Sequence, residues 1–150
     1  MLVNSDFKEL LSILNDKGVK YLVIGGYAFI NYAEPRYTKD LDLWVLADSQ
    51  NAHAVFSALK AFGAPLTNLT PDDFAKEGYF YQMGVAPVRV DILMSIPGLK
   101  FEVAWEKREE VNFDGVKLPF ISKQDLIISK RASGRPQDVL DAETLEQSPD

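Results

Sequence analysis

Between Tyr21 and Val45 the chain reads YLVIGG, YAFINYAEP, RYTKDLDLWV, and this stretch limits the fold more than any other. Tyr21–Ile24 is short, uniformly apolar and stopped by Gly25–Gly26, which predicts a buried strand running into a tight turn. The residue before a proline avoids helical backbone, so a helix opened near Tyr27 has to end by about Tyr32, ahead of Pro35. From Arg36 to Val45 the pattern becomes alternation. Leu41, Leu43 and Val45 take one face, and Arg36, Thr38, Asp40, Asp42 and Trp44 share the other if the whole segment is extended. A glycine pair at the mouth of a helix is thus followed by two carboxylates on one strand face.

The rest of the chain supplies elements to pack around this unit. Phe7, Leu10, Leu11 and Leu14 fall at helical spacing over Asp6–Lys17, with Asp6 and Glu9 as a capping-box-like start and Gly18 as the stop. Ser49–Phe62 reads as a second long helix, with Ala52, Val55, Phe56 and Leu59 on one side. Thr70-Pro71-Asp72-Asp73 has the composition of a helix start. Tyr79–Met83 and Val88–Met94 are strand candidates; in the second, Val88, Val90, Ile92 and Met94 form an apolar face, and Asp91 points the other way beside Arg89 and Leu93. Phe101–Lys107 predicts one or two helical turns. Val111–Phe113 and Val116–Phe120 flank Asp114–Gly115, a hairpin signal. Ser122 and Asp125 form a capping box opening a helix through Arg131, and a last helix runs from about Gln137 to Leu145, leaving residues 146–150 as a frayed tail. The order predicts one domain over residues 1–150 of α+β (α/β-like) class, a mixed central β-sheet flanked by helices.

Composition narrows the chemistry. The chain has no cysteine and one histidine, His53, so thiolate zinc sites and histidine-based nucleophile triads have no material to work with. A formal charge of −6 opposes general nucleic-acid binding, although one phosphate pocket with a few basic residues remains compatible with it. No apolar run approaches the roughly 20 residues of a membrane span, and the N-terminus lacks a signal-peptide pattern, so a cytoplasmic location is expected.

What carboxylates can hold is a hard cation. Asp40 and Asp42, at i and i+2 on a strand, project to the same side and can reach one ion; the structural alternative is a solvated strand end. Asp91, on an otherwise apolar strand, either faces water, pairs with Arg89 or joins the first two. Gly25–Gly26 is either a close-packed turn or a place where backbone N–H groups meet a phosphate. It fits neither G-x-x-x-x-G-K-[ST] nor G-x-G-x-x-G. Lys130, Arg131 and Arg135 gather near a helix break at Gly134, as a solvated helix end or as ligands for an anion, with Asp138 and Asp141 as candidate partners. His53, Trp44 and Tyr79–Tyr81 read as helix surface, core cap and strand packing.

The combination IGG-YAFINYAEP-R-Y-T-K-DLD-LWV, followed downstream by VDIL, resembles the minimal nucleotidyltransferase group of the polymerase-β-like superfamily. The segment ISKQDLIISKRASGRPQDVLDAETL is similar to the closing helices of its single-domain bacterial members, relatives of the abortive-infection nucleotidyltransferases among them. The resemblance implies that fold and an Mg²⁺-dependent (or Mn²⁺-supported) transfer of NMP from an NTP, such as ATP, to a hydroxyl acceptor: a small molecule, a tRNA or a protein. It implies Gly25, Gly26, Arg36, Thr38 and Lys130 as nucleotide-binding residues. Asp40, Asp42 and Asp91 would be the metal-binding and catalytic residues. The alternative is a catalytically silent nucleotide- or partner-binding module of a toxin–antitoxin or phage-defence system, working with a protein partner or as a homodimer.

Overall fold

The computed structural model describes residues 5–38, 40–85 and 88–149. Helix α1 (Ser5–Asp16) turns Phe7, Leu10, Leu11 and Leu14 inward, as their spacing requires, and Asp6 lies in its first turn. Strand β1 (Tyr21–Ile24) is buried along its whole length. Helix α2 (Gly25–Tyr32) starts directly on the glycine pair, and strand β2 (Asp40–Val45) returns antiparallel to β1. Helix α3 (Ser49–Phe62) is capped by Asp48, whose side chain accepts from the Asn51 N–H, and ends on left-handed Gly63. A short 3-10 turn over Pro71–Ala75 leads to β3 (Phe80–Val85) and β4 (Val88–Leu93). Then come α4 (Phe101–Glu106), the hairpin β5 (Glu109–Phe113) and β6 (Val116–Phe120), and the closing helices α5 (Lys123–Ser133) and α6 (Pro136–Gln147).

The six strands form one mixed sheet in the order β3-β4-β2-β1-β6-β5. β2 runs parallel to β4 and β1 parallel to β6, while the remaining pairs are antiparallel. The most apolar strand, β1, thus lies in the middle of the sheet, buried on both faces. Leu41, Leu43 and Val45 are buried on one face of β2, as the alternation predicts, and Trp44 is buried on the other, its ring edge-to-face with Phe101 at 5.1 Å. Among the described residues no helix is long and apolar enough to cross a membrane.

Three expectations need correction. β2 begins at Asp40, so Arg36, Tyr37 and Thr38 lie in an irregular segment and do not continue its alternation. Helix α6 runs to Gln147, two residues past Leu145, and Glu146 accepts a hydrogen bond from Arg131 on α5, so this part of the expected frayed tail is helical. The box at α5 is one-sided. Ser122 Oγ accepts from the Asp125 N–H at 3.2 Å, but the buried Asp125 carboxylate takes its hydrogen bond from Lys107 Nζ at 3.0 Å.

Candidate active site

At the end of β1 the chain enters α2 through Gly25, whose φ is +68°. A Cβ there would stand 2.2 Å from Asp42 Oδ2, and one on Gly26 would stand 2.6 Å from Thr38 Oγ1. Both glycines are therefore required by close approach: the carboxylate of β2 rests on one and the threonine hydroxyl on the other. Ile24, the residue capping α2, has no side-chain hydrogen bond to offer, so the leading N–H groups of α2 have no side-chain acceptor from their cap.

Register sets the next layer. Asp42 of β2 lies opposite Asp91 of the parallel strand β4, and Asp40 opposite Arg89. Asp91 is in turn opposite Gln82 of β3, whose amide donates to Asp91 Oδ1 at 2.8 Å. Arg89 donates from Nη2 to Asp40 Oδ2 at 2.7 Å and holds Nε 3.7 Å from Asp91 Oδ1, leaving that buried Nε without a hydrogen bond. Burial pushes the Asp42 carboxyl up to about 7; its hydrogen bond with Asp91 and the charges of Asp91 and Asp40 add to this, against the pull of Arg89. At neutral pH Asp42 is thus poised between its protonated and charged forms.

The facing wall comes from α5 and α6. Lys130 Nζ lies 3.0 Å from Asp141 Oδ2 and 3.5 Å from Asp138 Oδ1. Asp141 also accepts from Arg36 Nη2 at 2.5 Å and from Gln137 Nε2 at 2.9 Å. The guanidinium of Arg36 sits 3.7 Å above the Phe29 ring of α2, with the Lys130 ammonium 5.9 Å from the same ring. Burial would raise the Asp141 carboxyl, but hydrogen bonds from Arg36, Lys130 and Gln137 outweigh it and hold the group below its ordinary range. Asp138, joined by Ser133 Oγ at 2.6 Å and Arg135 Nε at 3.1 Å, is lowered in the same way against its own burial.

These walls enclose a cleft of about 510 Å³. Gly25, Gly26, Arg36, Asp40, Asp42, Asp91 and Lys130 all line it. Thr38 does not; it stands behind Gly26 and supports the turn. Arg36 reaches the cleft from the α2–α6 side, joined to Asp141 rather than to the aspartates of β2, because its segment has left the strand. Arg131 faces away to Glu146, while Arg135 lines the cleft. Sequence reasoning treated Arg89 only as a partner for Asp91, and the stronger contact is to Asp40. It missed Gln82, Ser129 and Ser133 altogether. The alternation of β3 marks Gln82 as sharing a face with Phe80, but its facing Asp91 follows only from the β3–β4 register. Among the described residues no group of three or more carboxylate, histidine or cysteine side chains is arranged to hold a metal ion, since Asp40 is turned to Arg89.

The sequence model of the family described as "Nucleotidyltransferase of unknown function (DUF6036)" matches residues 2–147. The chain belongs to this family and is a nucleotidyltransferase. Solved structures similar to this nucleotidyltransferase include the lincosamide antibiotic adenylyltransferase LnuA, lincomycin-bound, at 17% identity and a TM-score of 0.59, covering 97% of this chain and 98% of that one. A candidate nucleotidyltransferase of Thermotoga maritima follows at 19% and 0.58, covering 93% and 88%. The antibiotic-resistance factor ANT(2'')-Ia stands at 12% and 0.59, covering 95% and 86%. At these identities the likeness establishes the fold alone. No curated protein sequence is a significant match to this nucleotidyltransferase.

Proposed function

We propose that this nucleotidyltransferase moves a nucleoside monophosphate from an NTP to a hydroxyl-bearing acceptor and releases pyrophosphate. The observation that carries the reading is the pairing of Asp42 with Asp91 across β2 and β4, beside the mouth of α2. Two carboxylates facing each other in register, with the ionisation of Asp42 opposed by burial and by its neighbours' charge, are a place where a divalent cation relieves repulsion, and an all-oxygen donor set suits Mg²⁺, with Mn²⁺ as a substitute. Asp42 and Asp91 would hold it, joined by Asp40 once that residue gives up Arg89. When bound, such ions stabilise the charge on the entering and leaving oxygens of an in-line displacement.

The chain's own residues divide the remaining work. Backbone N–H groups at Gly25 and Gly26 meet the triphosphate, as helix N-termini do with anions. Lys130 and Arg36, held ready on the Phe29 ring, neutralise its charge. Asp91 orients the acceptor hydroxyl and takes its proton as the new bond from oxygen to the α-phosphorus forms. The bond from that phosphorus to the bridging oxygen breaks, and pyrophosphate leaves. Arg89, released from Asp40, is placed to steady the phosphoryl group in flight.

A second reading has one observation in its favour. The Arg89–Asp40 pair already neutralises one carboxylate without a metal, as a silent nucleotide-binding module of a toxin–antitoxin or phage-defence pair would. Incubation with Mg²⁺, α-labelled NTPs and cell extract separates the two. Label transfer that disappears in Asp42→Asn is the expected result. Transfer undiminished in that variant removes Asp42 from the site, and binding of NTP with no transfer under any condition favours the module.

A further inference from the structure

The cleft has a third wall that the donor chemistry leaves unused. Phe80, Leu93, Ile96 and Pro97 give it an apolar flank beginning on β3 and β4, the strands beyond β2 from β1, with Leu126 of α5 beside it. Phe80 lies opposite Leu93 in register and is 64% exposed, a large aromatic surface left open to the cleft on an edge strand. This flank is firmly built. Pro97 is followed by Gly98 at φ +80°, where a Cβ would come within 2.9 Å of Ala132 Cβ, so the loop is pressed onto α5. Tyr81, one residue on, points to the other side of β3 and is anchored by its hydroxyl to the Pro65 carbonyl at 2.7 Å.

Charge points the same way. Of the described carboxylates lining the cleft, Asp40 is engaged with Arg89, Asp91 with Gln82, and Asp138 and Asp141 with Lys130, Arg135 and Arg36. The flank itself, built of Phe80, Leu93, Ile96 and Pro97, brings no carboxylate to meet an ammonium group. A polyammonium acceptor would have to give up its hydration there without a counter-charge. Nor does the flank offer a basic track for a nucleic-acid backbone, since its lining is Phe80, Leu93, Ile96 and Pro97 and the chain as a whole carries −6.

The geometry points to an acceptor that is a compact, neutral molecule, packed by an apolar or aromatic face on Phe80 and Ile96 while its hydroxyl reaches Asp91. Phe80 is then a specificity-determining residue for the acceptor and has no part in binding the donor. The inference rests on the nucleotidyl-transfer reading, and the test keeps the two apart. Inorganic tripolyphosphate with Mg²⁺ probes the donor side whatever the base, and phenyl β-glucoside, a neutral hydroxyl compound with an aromatic face, probes the flank. Titration of the full chain should show phenyl glucoside binding in the millimolar range, weakened about tenfold in Phe80→Ala, as for loss of one stacking ring. Ile96→Asp should weaken it similarly and Phe80→Trp should restore it, while tripolyphosphate affinity stays within about twofold in all three. Phenyl glucoside that does not bind, or binds equally well to Phe80→Ala and Ile96→Asp, overturns the proposal. So does tighter binding by spermine or by a short single-stranded RNA. Failure of the unsubstituted protein to bind tripolyphosphate overturns the donor reading instead.

Discussion

Gly25 and Asp42 are joined by a contact that leaves no room for a single carbon atom, and this makes their energetics separable. Gly25→Ala meets two penalties, a left-handed backbone and a Cβ placed 2.2 Å from a carboxylate oxygen, whereas Gly18→Ala, at φ +69° with nothing within 4 Å, meets only the first. The backbone term is about 1–2 kcal/mol and the overpacking term another 1–3 kcal/mol. Chemical denaturation should therefore show Gly25→Ala clearly less stable than Gly18→Ala; equal midpoints would mean that Asp42 does not rest on Gly25. The Asp42 carboxyl has its own signature. With its folded pKa raised from 3.8 to about 7, it contributes stability that is fully present below about 3.8 and lost as the pH rises through about 7. Metal-free protein and Asp42→Asn should then have similar stability near pH 4, with the variant ahead by about 1–3 kcal/mol at pH 8. Thermal melts across that range decide it, and a variant that is worse at pH 8 contradicts the raised Asp42 carboxyl.

At the scale of elements, α5 and α6 are tied to α2 through Asp141. Its side chain, 5% exposed, collects Arg36 from the segment after α2, Lys130 from α5 and Gln137 from its own helix. Removing a buried partner leaves charges uncompensated, so Asp141→Ala should cost about 3 kcal/mol or more. It should also weaken Mg²⁺–NTP binding, because Lys130 and Arg36 lose their orientation together. An unchanged melting temperature in Asp141→Ala would show that the three helices hold without it. Pairing of Asp138 and Asp141 with Lys130, and of Asp138 with Arg135, was legible in the sequence because these groups lie close together on either side of the break at Gly134, whereas Arg131 turns to Glu146 instead. Arg36 was misplaced because alternation from Arg36 to Val45 is equally consistent with a longer strand, and only the pairing of β2 with β1 and β4 shows that the ladder begins at Asp40. The reach of α6 past Leu145 was missed because Glu146 is held there by Arg131, a contact between helices.

For the whole molecule, the sequence specified which faces are apolar and in what order the elements come, and these were enough for the fold class. The order of strands was not legible. Periodicity tells which side of a strand is buried and says nothing about its neighbour, so the placement of β2 between β4 and β1, which faces Asp42 with Asp91, belongs to tertiary pairing. The same limit hid Gln82 and the full role of Arg89. Because β2, β4, α2, α5 and α6 all contribute to one cleft, a ligand that fills it should stabilise the whole fold. Saturation to about 100 times the dissociation constant adds roughly 2.7 kcal/mol, or about 5–10 °C for a domain of this size. Mg²⁺ with NTP should produce that rise and EDTA should abolish it; an NTP-dependent shift indifferent to EDTA would separate nucleotide binding from the metal.

The most direct test is the position of a metal. In crystals grown with Mn²⁺ and a non-hydrolysable NTP analogue, the account predicts anomalous scattering between Asp42 and Asp91, with the triphosphate against the N–H groups of Gly25 and Gly26 and the Lys130 ammonium in contact with it. Manganese bound elsewhere, or a nucleotide seated in the cleft with Asp40 still paired to Arg89 and no metal beside Asp42, would contradict it.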